Sequence, residues 1–170
     1  GATKEGMMRP QDYKDFGIKC GIPIKTASYS DEDGIFNSDN EYLKTIEKAK
    51  VKGISVLDQY DLNEHLLDIE RDTLYLIDKE LSRYKKERYM KDFTDLLLEF
   101  IEKDMAPEFD VLFIDEAQDL SYLQWQMVRT IWKKSKKTYI AGDDDQAIFQ
   151  WAGADIDHFI ALKEEVDEIK

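Results

Sequence analysis

The run Val111-Leu112-Phe113-Ile114, ending on Asp115-Glu116, constrains this 170-residue chain more than any other stretch. Four consecutive apolar residues leave no polar face, which is the pattern of a strand covered on both sides. Such strands build parallel sheets, and their neighbours arrive through crossover helices. The downstream sequence supplies both parts. The spacing predicts a helix over 121–133, with Leu123, Met127 and Ile131 on one face. A second short run, Thr138-Tyr139-Ile140-Ala141, reads as another buried strand. Strand, helix and strand form one right-handed unit. Residues 89–170 are therefore expected to be part of an α/β domain with a parallel sheet.

Upstream the periodicity is helical. Residues 41–50 predict a short amphipathic helix. Residues 61–86 carry the longest helical pattern, with Leu67, Leu74, Ile77, Leu81 and Tyr84 as its apolar stripe and Asp61 as its N-cap. Asp92 is placed to cap a helix over 93–104, whose apolar face is Phe93, Leu97, Phe100 and Ile101. Residues 10–40 are rich in Gly, Asp, Asn and Ser and read as irregular, with short helical pieces at best. Residues 1–88 are thus expected to form a mainly helical subdomain.

Charge narrows the partners. The chain has a net charge of −13. Residues 1–88 carry 15 basic and 18 acidic side chains, and residues 89–170 carry 9 and 19. Phosphate neutralisation supplies much of the affinity of a free-standing nucleic-acid binder, so this acidic chain is expected to bind DNA weakly by itself. Cys20 is the single cysteine, which excludes a disulfide framework and a cysteine-based zinc site. No apolar run approaches the roughly 20 residues of a membrane span. The expected setting is soluble, intracellular and cytoplasmic. A chain that opens on Gly1 rather than Met reads as a piece of a longer protein.

Two motifs carry chemistry. In FDVLFIDEAQD a strand delivers an acid to the carboxyl edge of a parallel sheet, where ligands bind. This is the Walker B arrangement. Asp115 can hold Mg²⁺ directly or through water, and Glu116 can orient and deprotonate an attacking water. The second motif is AGDDDQAIFQWAGAD, after the next strand. Gly142 is expected to let the chain turn sharply out of the sheet. Gln146 presents an amide to a phosphate oxygen or a water. Phe149 and Trp151 fit two roles: stacking platforms for single-stranded bases, or plugs under the loop. Lys85, Lys86 and Arg88 could meet phosphate or simply complement a helix C-terminus. Trp125 and Trp132 read as packing residues.

DEAQD is similar to motif II of the UvrD-like superfamily 1 helicases, which also have a Gln at the position of Gln124. AGDDDQAIFQWAGAD resembles their motif III, of the form GDxDQxIYxWRGA. The resemblance extends upstream to Tyr84-Lys85-Lys86 and Asp92-Phe93-Thr94-Asp95-Leu96-Leu97. It implies a partial RecA-like sheet over 89–170 and an inserted 1B-like helical subdomain over 1–88. It further implies that Asp115 and Glu116 coordinate Mg²⁺, that Glu116 is the catalytic base, and that Gln146 senses the γ-phosphate of ATP. Trp151 and Phe149 would stack on single-stranded DNA, bound alone or next to a duplex during repair or replication.

The chain departs from the family pattern in three ways. No GxxxxGK[ST] phosphate loop occurs in it. A second RecA-like domain with its arginine finger is missing. Ala152 stands where the family commonly has Arg. The isolated chain is therefore expected not to hydrolyse ATP, and its incomplete sheet to self-associate through open edges. The competing expectation is a relative without a phosphate loop that lost the chemistry and acts as a protein-binding or regulatory module.

Overall fold

The computed structural model describes residues 6–30, 35–143, 145, 155–162 and 165. The chain forms two compact units, residues 1–96 and 97–170. It is a mixed helix and sheet protein. Among the described residues, no helix is long and apolar enough to cross a membrane.

The first unit opens with β1 (Gly6–Met7) and α1 (Pro10–Cys20). Helix α1 overturns the expectation that residues 10–40 are irregular. Pro10 stands at its first turn, where a missing N–H costs nothing. Asp12 reaches back over the first turn: its Oδ2 accepts from the Arg9 amide at 2.8 Å and from Arg9 Nε at 3.1 Å. Gly21, with φ 69°, ends the helix in the left-handed conformation. Gly17, one of the glycines behind that expectation, lies inside the helix. A Cβ there would meet Ile24 Cδ1 at 2.6 Å and the Ile22 carbonyl at 2.8 Å. Strands β2 (Ala27–Tyr29) and β3 (Phe36–Ser38) then pair antiparallel, with Tyr29 opposite Phe36.

Helix α2 (Glu41–Val51) follows as predicted, and its Asn40 cap accepts from the Leu43 amide at 3.2 Å. The helix expected over 61–86 is broken in two. Helix α3 (Val56–Asn63), capped by Ser55, and a single 3₁₀ turn (Glu64–Leu66) take its first third. Helix α4 (Arg71–Arg88) takes the rest. Asp61 is not an N-cap. It lies within α3 and pairs with Arg71 at 2.9 Å, across the break. Leu67, the first residue of the predicted stripe, lies past the 3₁₀ turn and still packs, partly buried, against the core, while Leu62 and Leu66 stay exposed. The remaining stripe holds: Leu74, Ile77, Leu81 and Tyr84 are all buried, in one core with Met8, Tyr13, Phe16, Leu43 and Ile46. Strand β4 (Met90–Lys91) pairs parallel with β1.

A buried charge network sits beneath this core. Asp92 caps α5 (Phe93–Glu102), accepting from the Asp95 amide at 2.8 Å. Its other oxygen accepts from the Tyr13 hydroxyl at 3.1 Å, from Lys50 Nζ at 3.2 Å, and from Lys85 Nζ. Lys85 also donates to Asp95 at 2.7 Å. Lys85 thus points inward and is not available to phosphate, while Arg88 lies 4.0 Å from the Tyr84 ring centroid. Burial works against the charge of Lys50, but Asp92, Asp95 and Glu47 outweigh it and raise it above the usual lysine value. Burial, helped by the Lys50 charge, pulls Lys85 down.

Glu47 has the least support. It accepts from the Thr94 hydroxyl, and burial raises its carboxyl above the usual range despite Lys50. Its charged form therefore costs the folded state more than the unfolded one as pH rises above 4.5. Glu47→Gln keeps an acceptor for Thr94 and removes that charge. Denaturant unfolding should show the variant more stable than wild type at pH 8, with no gain at pH 4.

The second unit contains β5 (Phe109–Ile114), a 3₁₀ turn (Ala117–Asp119), α6 (Tyr122–Trp132), β6 (Ser135–Ile140) and α7 (Ile156–Ala161). Strands β5 and β6 pair parallel, with Phe109 opposite Ser135 and Ile114 opposite Ile140. The expectation that both runs are covered on two sides is not met. Leu112, Ile114 and Ile140 pack with Ala117, Trp125, Val128 and Leu162. On the other face Phe113 is 74% exposed and Tyr139, stacked on it at 5.0 Å, is 54% exposed. A parallel strand is covered twice only where helices lie on both faces. The cluster on the inner face draws on α6 and α7, whereas Phe113 and the Tyr139 stacked on it stay largely exposed. The buried face of α6 is also rotated from prediction. It runs through Trp125 and Val128, joined by Leu123 on the flank, while Ile131 is only half-buried.

Candidate functional site

Parallel pairing decides where the acidic residues go. Because Ile114 and Ile140 are opposite, the residues after each strand emerge side by side at the same sheet edge. The ladder continues for two more bonds: the Ala141 amide donates to the Ile114 carbonyl at 2.8 Å, and the Ala117 amide to the Ala141 carbonyl at 3.0 Å. The Asp115-Glu116 pair of the first motif is thereby held next to Gly142-Asp143, the start of the second.

Glu116 turns the chain sharply. Its φ of 50° and ψ of 41° place it in the left-handed region, which costs a non-glycine residue about 1 kcal/mol or more. The surrounding structure enforces it: Ala117 is fully buried and bonded to β6, and a 3₁₀ turn begins at once. The result is that Asp115 and Glu116 both project as exposed carboxylates at the strand end. Asp115 Oδ1 accepts from the Glu116 amide at 3.0 Å. Glu116 Oε2 accepts from Gln118 Nε2 at 2.7 Å. Gln118 is buried, and its Oε1 accepts from the Asp143 amide at 3.0 Å. Ser121 and Gln124 then close a capping box that starts α6.

The chemistry of the donors is that of a hard, oxygen-only site. Two exposed carboxylates suit Mg²⁺, which takes one or two carboxylates together with phosphate oxygens and water. Among the described residues, no three His, Cys, Asp or Glu side chains are arranged to hold a metal by themselves. A site of this kind needs its ligand to complete the coordination.

Gly142 plays a different part from the one expected. Its φ is not positive. What it provides is room: a Cβ there would lie 2.7 Å from Gln118 Oε1 and 2.7 Å from the Phe159 ring. Gln146, Phe149 and Trp151, with Ala152, lie outside the described residues. Gln118 is the residue that sequence reasoning passed over. The signal was its place in DEAQD, two residues after Glu116, but only the folded turn aims its amide back at that carboxylate.

The rest of the unit's polar chemistry is structural. Trp125 is fully buried, as its packing role required, with its ring 5.0 Å from that of His158. His158 Nε2 accepts from Arg129 Nε at 3.1 Å, and burial followed by the Arg129 charge lowers its imidazole below the usual value. Arg129 grips Glu165 with bonds of 3.0 and 2.7 Å. Lys134 and Lys136 pair with Asp104 and Asp110. The basic stretch at the end of α6 is therefore largely engaged within the unit.

The family description "UvrD/REP helicase N-terminal domain" matches residues 9–167. The chain belongs to this helicase family. An ATP-dependent DNA helicase PcrA of Staphylococcus epidermidis is 33% identical over 88 residues, which cover 46% of this chain and 12% of that protein. A PcrA of Staphylococcus aureus is 31% identical over 86 residues, covering 45% and 12%. An ATP-dependent DNA helicase Rep of Buchnera aphidicola is 34% identical over 59 residues, covering 35% and 9%. The matched stretches thus span only 9–12% of these relatives' own length. Membership of the UvrD/REP family gives the exposed pair Asp115-Glu116 its context, since both lie inside the matched stretch.

Proposed function

We propose that this chain is part of an ATP-dependent DNA helicase or translocase that couples ATP hydrolysis to movement on single-stranded DNA. The observation that carries the reading is the strand-end pair Asp115-Glu116, exposed, adjacent and bonded through Gln118 to the chain leaving β6. Relatives named as ATP-dependent DNA helicases support it. In this reading residues 89–170 are part of a RecA-like domain, and residues 1–88 are an inserted 1B-like subdomain. The uncovered face around Phe113 and Tyr139 fits a sheet whose further layers lie elsewhere in a longer protein.

Each residue has a task. Asp115 holds Mg²⁺, with Glu116 contributing a second carboxylate. The ion, when bound, offsets the negative charge of the transferred phosphoryl group. Glu116 orients a water and takes its proton. Gln146 contacts the γ-phosphate end of ATP, and Trp151, with Phe149, stacks on DNA bases. The isolated chain has no GxxxxGK[ST] sequence, and so lacks the backbone cradle and lysine that hold the phosphates. It is inactive alone in this reading.

The test is nucleotide hydrolysis by the full-length enzyme with and without single-stranded DNA. Trp151→Ala removes a stacking platform worth about 1–3 kcal/mol per base. It should weaken DNA-stimulated turnover more than basal turnover. Equal loss of both would make Trp151 a packing residue only. The net charge of −13 favours a second reading, a protein-binding module without catalysis. Hydrolysis that stays at background with every DNA tested would select it.

A further inference from the structure

The geometry points to Gln118 as a positioning residue that aims the Glu116 carboxylate and ties it to the chain leaving β6. The inference rests on the reading of Glu116 as the base and adds the part that holds it in place. Gln118 is 2% exposed, and both ends of its amide are engaged. Oε1 accepts from the Asp143 amide at 3.0 Å, and Nε2 donates to Glu116 Oε2 at 2.7 Å.

The orientation of that amide is dictated by its partners. A backbone N–H demands an acceptor, so the oxygen faces Asp143. The nitrogen is left for Glu116, whose ionised carboxylate can only accept. The close substitutes do not perform both roles. Asn is one methylene short. Glu has an acceptor at each end and would set carboxylate against carboxylate. Met fills the volume and makes neither bond. The neighbourhood is shaped to the amide as well. Any Cβ at residue 142 would lie 2.7 Å from Gln118 Oε1 and 2.7 Å from the Phe159 ring. Gln118 is thus clamped between the chain leaving β6 and the turn after β5.

The consequence is mechanical coupling. Glu116 is exposed and sits at a left-handed backbone position, so without a partner its carboxylate would sample several rotamers. Through Gln118, a shift of the Gly142–Asp143 backbone is passed directly to that carboxylate. Gln146 lies three residues further along the same segment. A ligand contact there would reach Glu116 through one buried amide.

The experiment compares Gln118→Glu, Gln118→Met and Glu116→Gln in the full-length enzyme. Gln118→Glu keeps the acceptor for Asp143 and loses the donor to Glu116. It should lower kcat for ATP hydrolysis by roughly 10–100-fold, with KM for ATP within about twofold. The deficit should shrink as pH falls, because protonating the introduced carboxyl restores a donor. A purely structural role would give no such pH profile. Gln118→Met should lose the same kcat and also speed hydrogen exchange at the Asp143 amide. Wild-type kcat in a folded Gln118→Glu variant overturns the assignment. Rapid, unprotected exchange of the Asp143 amide in the unaltered protein overturns it too, whether or not any variant folds. Normal turnover in Glu116→Gln would instead remove the reading of Glu116 on which the inference stands.

Discussion

Glu116→Gln is expected to lower ATP hydrolysis by the full-length enzyme by roughly 10²–10⁴-fold, the usual contribution of a positioned base. Nucleotide affinity should stay within a few-fold of wild type. The substitution is nearly isosteric, and its amide oxygen still accepts from Gln118, which donates to Glu116 at 2.7 Å. The left-handed backbone at this position is enforced by Ala117 and its bond to β6, so the turn survives. Asp115 is untouched. What disappears is the charge of one of the two carboxylates at the ion and, with it, the group that takes the proton from water; Asp115 remains to hold the ion. Steady-state hydrolysis beside equilibrium nucleotide binding separates the two effects. A variant that turns over normally would sink the role of Glu116. A variant that loses binding in parallel would make Glu116 chiefly a ligand rather than a base.

Asp92→Ala should unfold the first unit under conditions where the wild-type unit is stable. Asp92 is 1% exposed and satisfies Tyr13, Lys50, Lys85 and the Asp95 amide together. Its removal leaves buried Lys85 and partly buried Lys50 with Asp95 as their remaining ion-pair partner, and breaking a buried pair costs up to about 3–5 kcal/mol. Loss of the α5 cap adds about 1 kcal/mol. Against a total stability of about 5–15 kcal/mol for a domain, that is a sizeable part of the margin and, at the lower end, all of it. Asp92→Asn keeps the cap and the volume and should fall between the two. Denaturant unfolding followed by circular dichroism makes the comparison. A midpoint for Asp92→Ala within error of wild type would show that water reaches Lys50 and Lys85.

The same residue sets an acid limit. Burial pushes the Asp92 carboxyl up, but Lys50 and Lys85 overcome burial and hold it well below the ordinary carboxylate value of 3.8. A depressed folded value stabilises above the unfolded one and is lost as pH falls. The first unit should therefore weaken steadily below about pH 4. Glu47 runs the other way, since burial raises it. Its cost appears as pH rises. Asp92→Asn should flatten the acid limb, and Glu47→Gln the decline that begins above about pH 4.5.

Several elements of the fold were legible from local signals. Helix α2, the buried stripe of α4 and the capping role of Asp92 each follow from residues three or four apart. The parallel pairing of β5 and β6 follows from two apolar runs joined by one helix length. The signals failed where their window was too narrow. The stripe over 61–86 looked like one helix, yet the chain breaks after α3 and Leu67 reaches the core from the connection before α4. Residues 10–40 looked irregular because their Gly, Asp, Asn and Ser counted as turn signals, whereas Gly17 is a close-packing position inside α1. Asp115 and Glu116 were recognisable from a strand ending in acids. Gln118 was not, because its task depends on a partner 25 residues away.

By itself, then, the sequence determined the short-range features: which segments coil, which acids end the first strand, and the family pattern that runs through both motifs. Tertiary structure alone decided the rest. It joined Lys50 to Asp92 across 42 residues and Tyr13 to Asp92 across 79. It left Phe113 and Tyr139 exposed on one face of a sheet whose residues read as core. It turned Lys85 from a surface cation into a buried one. The reason is physical. Propensity, capping and periodicity act between residues a turn apart, and they are written in a short window. Burial and charge pairing depend on which distant segments meet, and that is set only when the whole chain has packed.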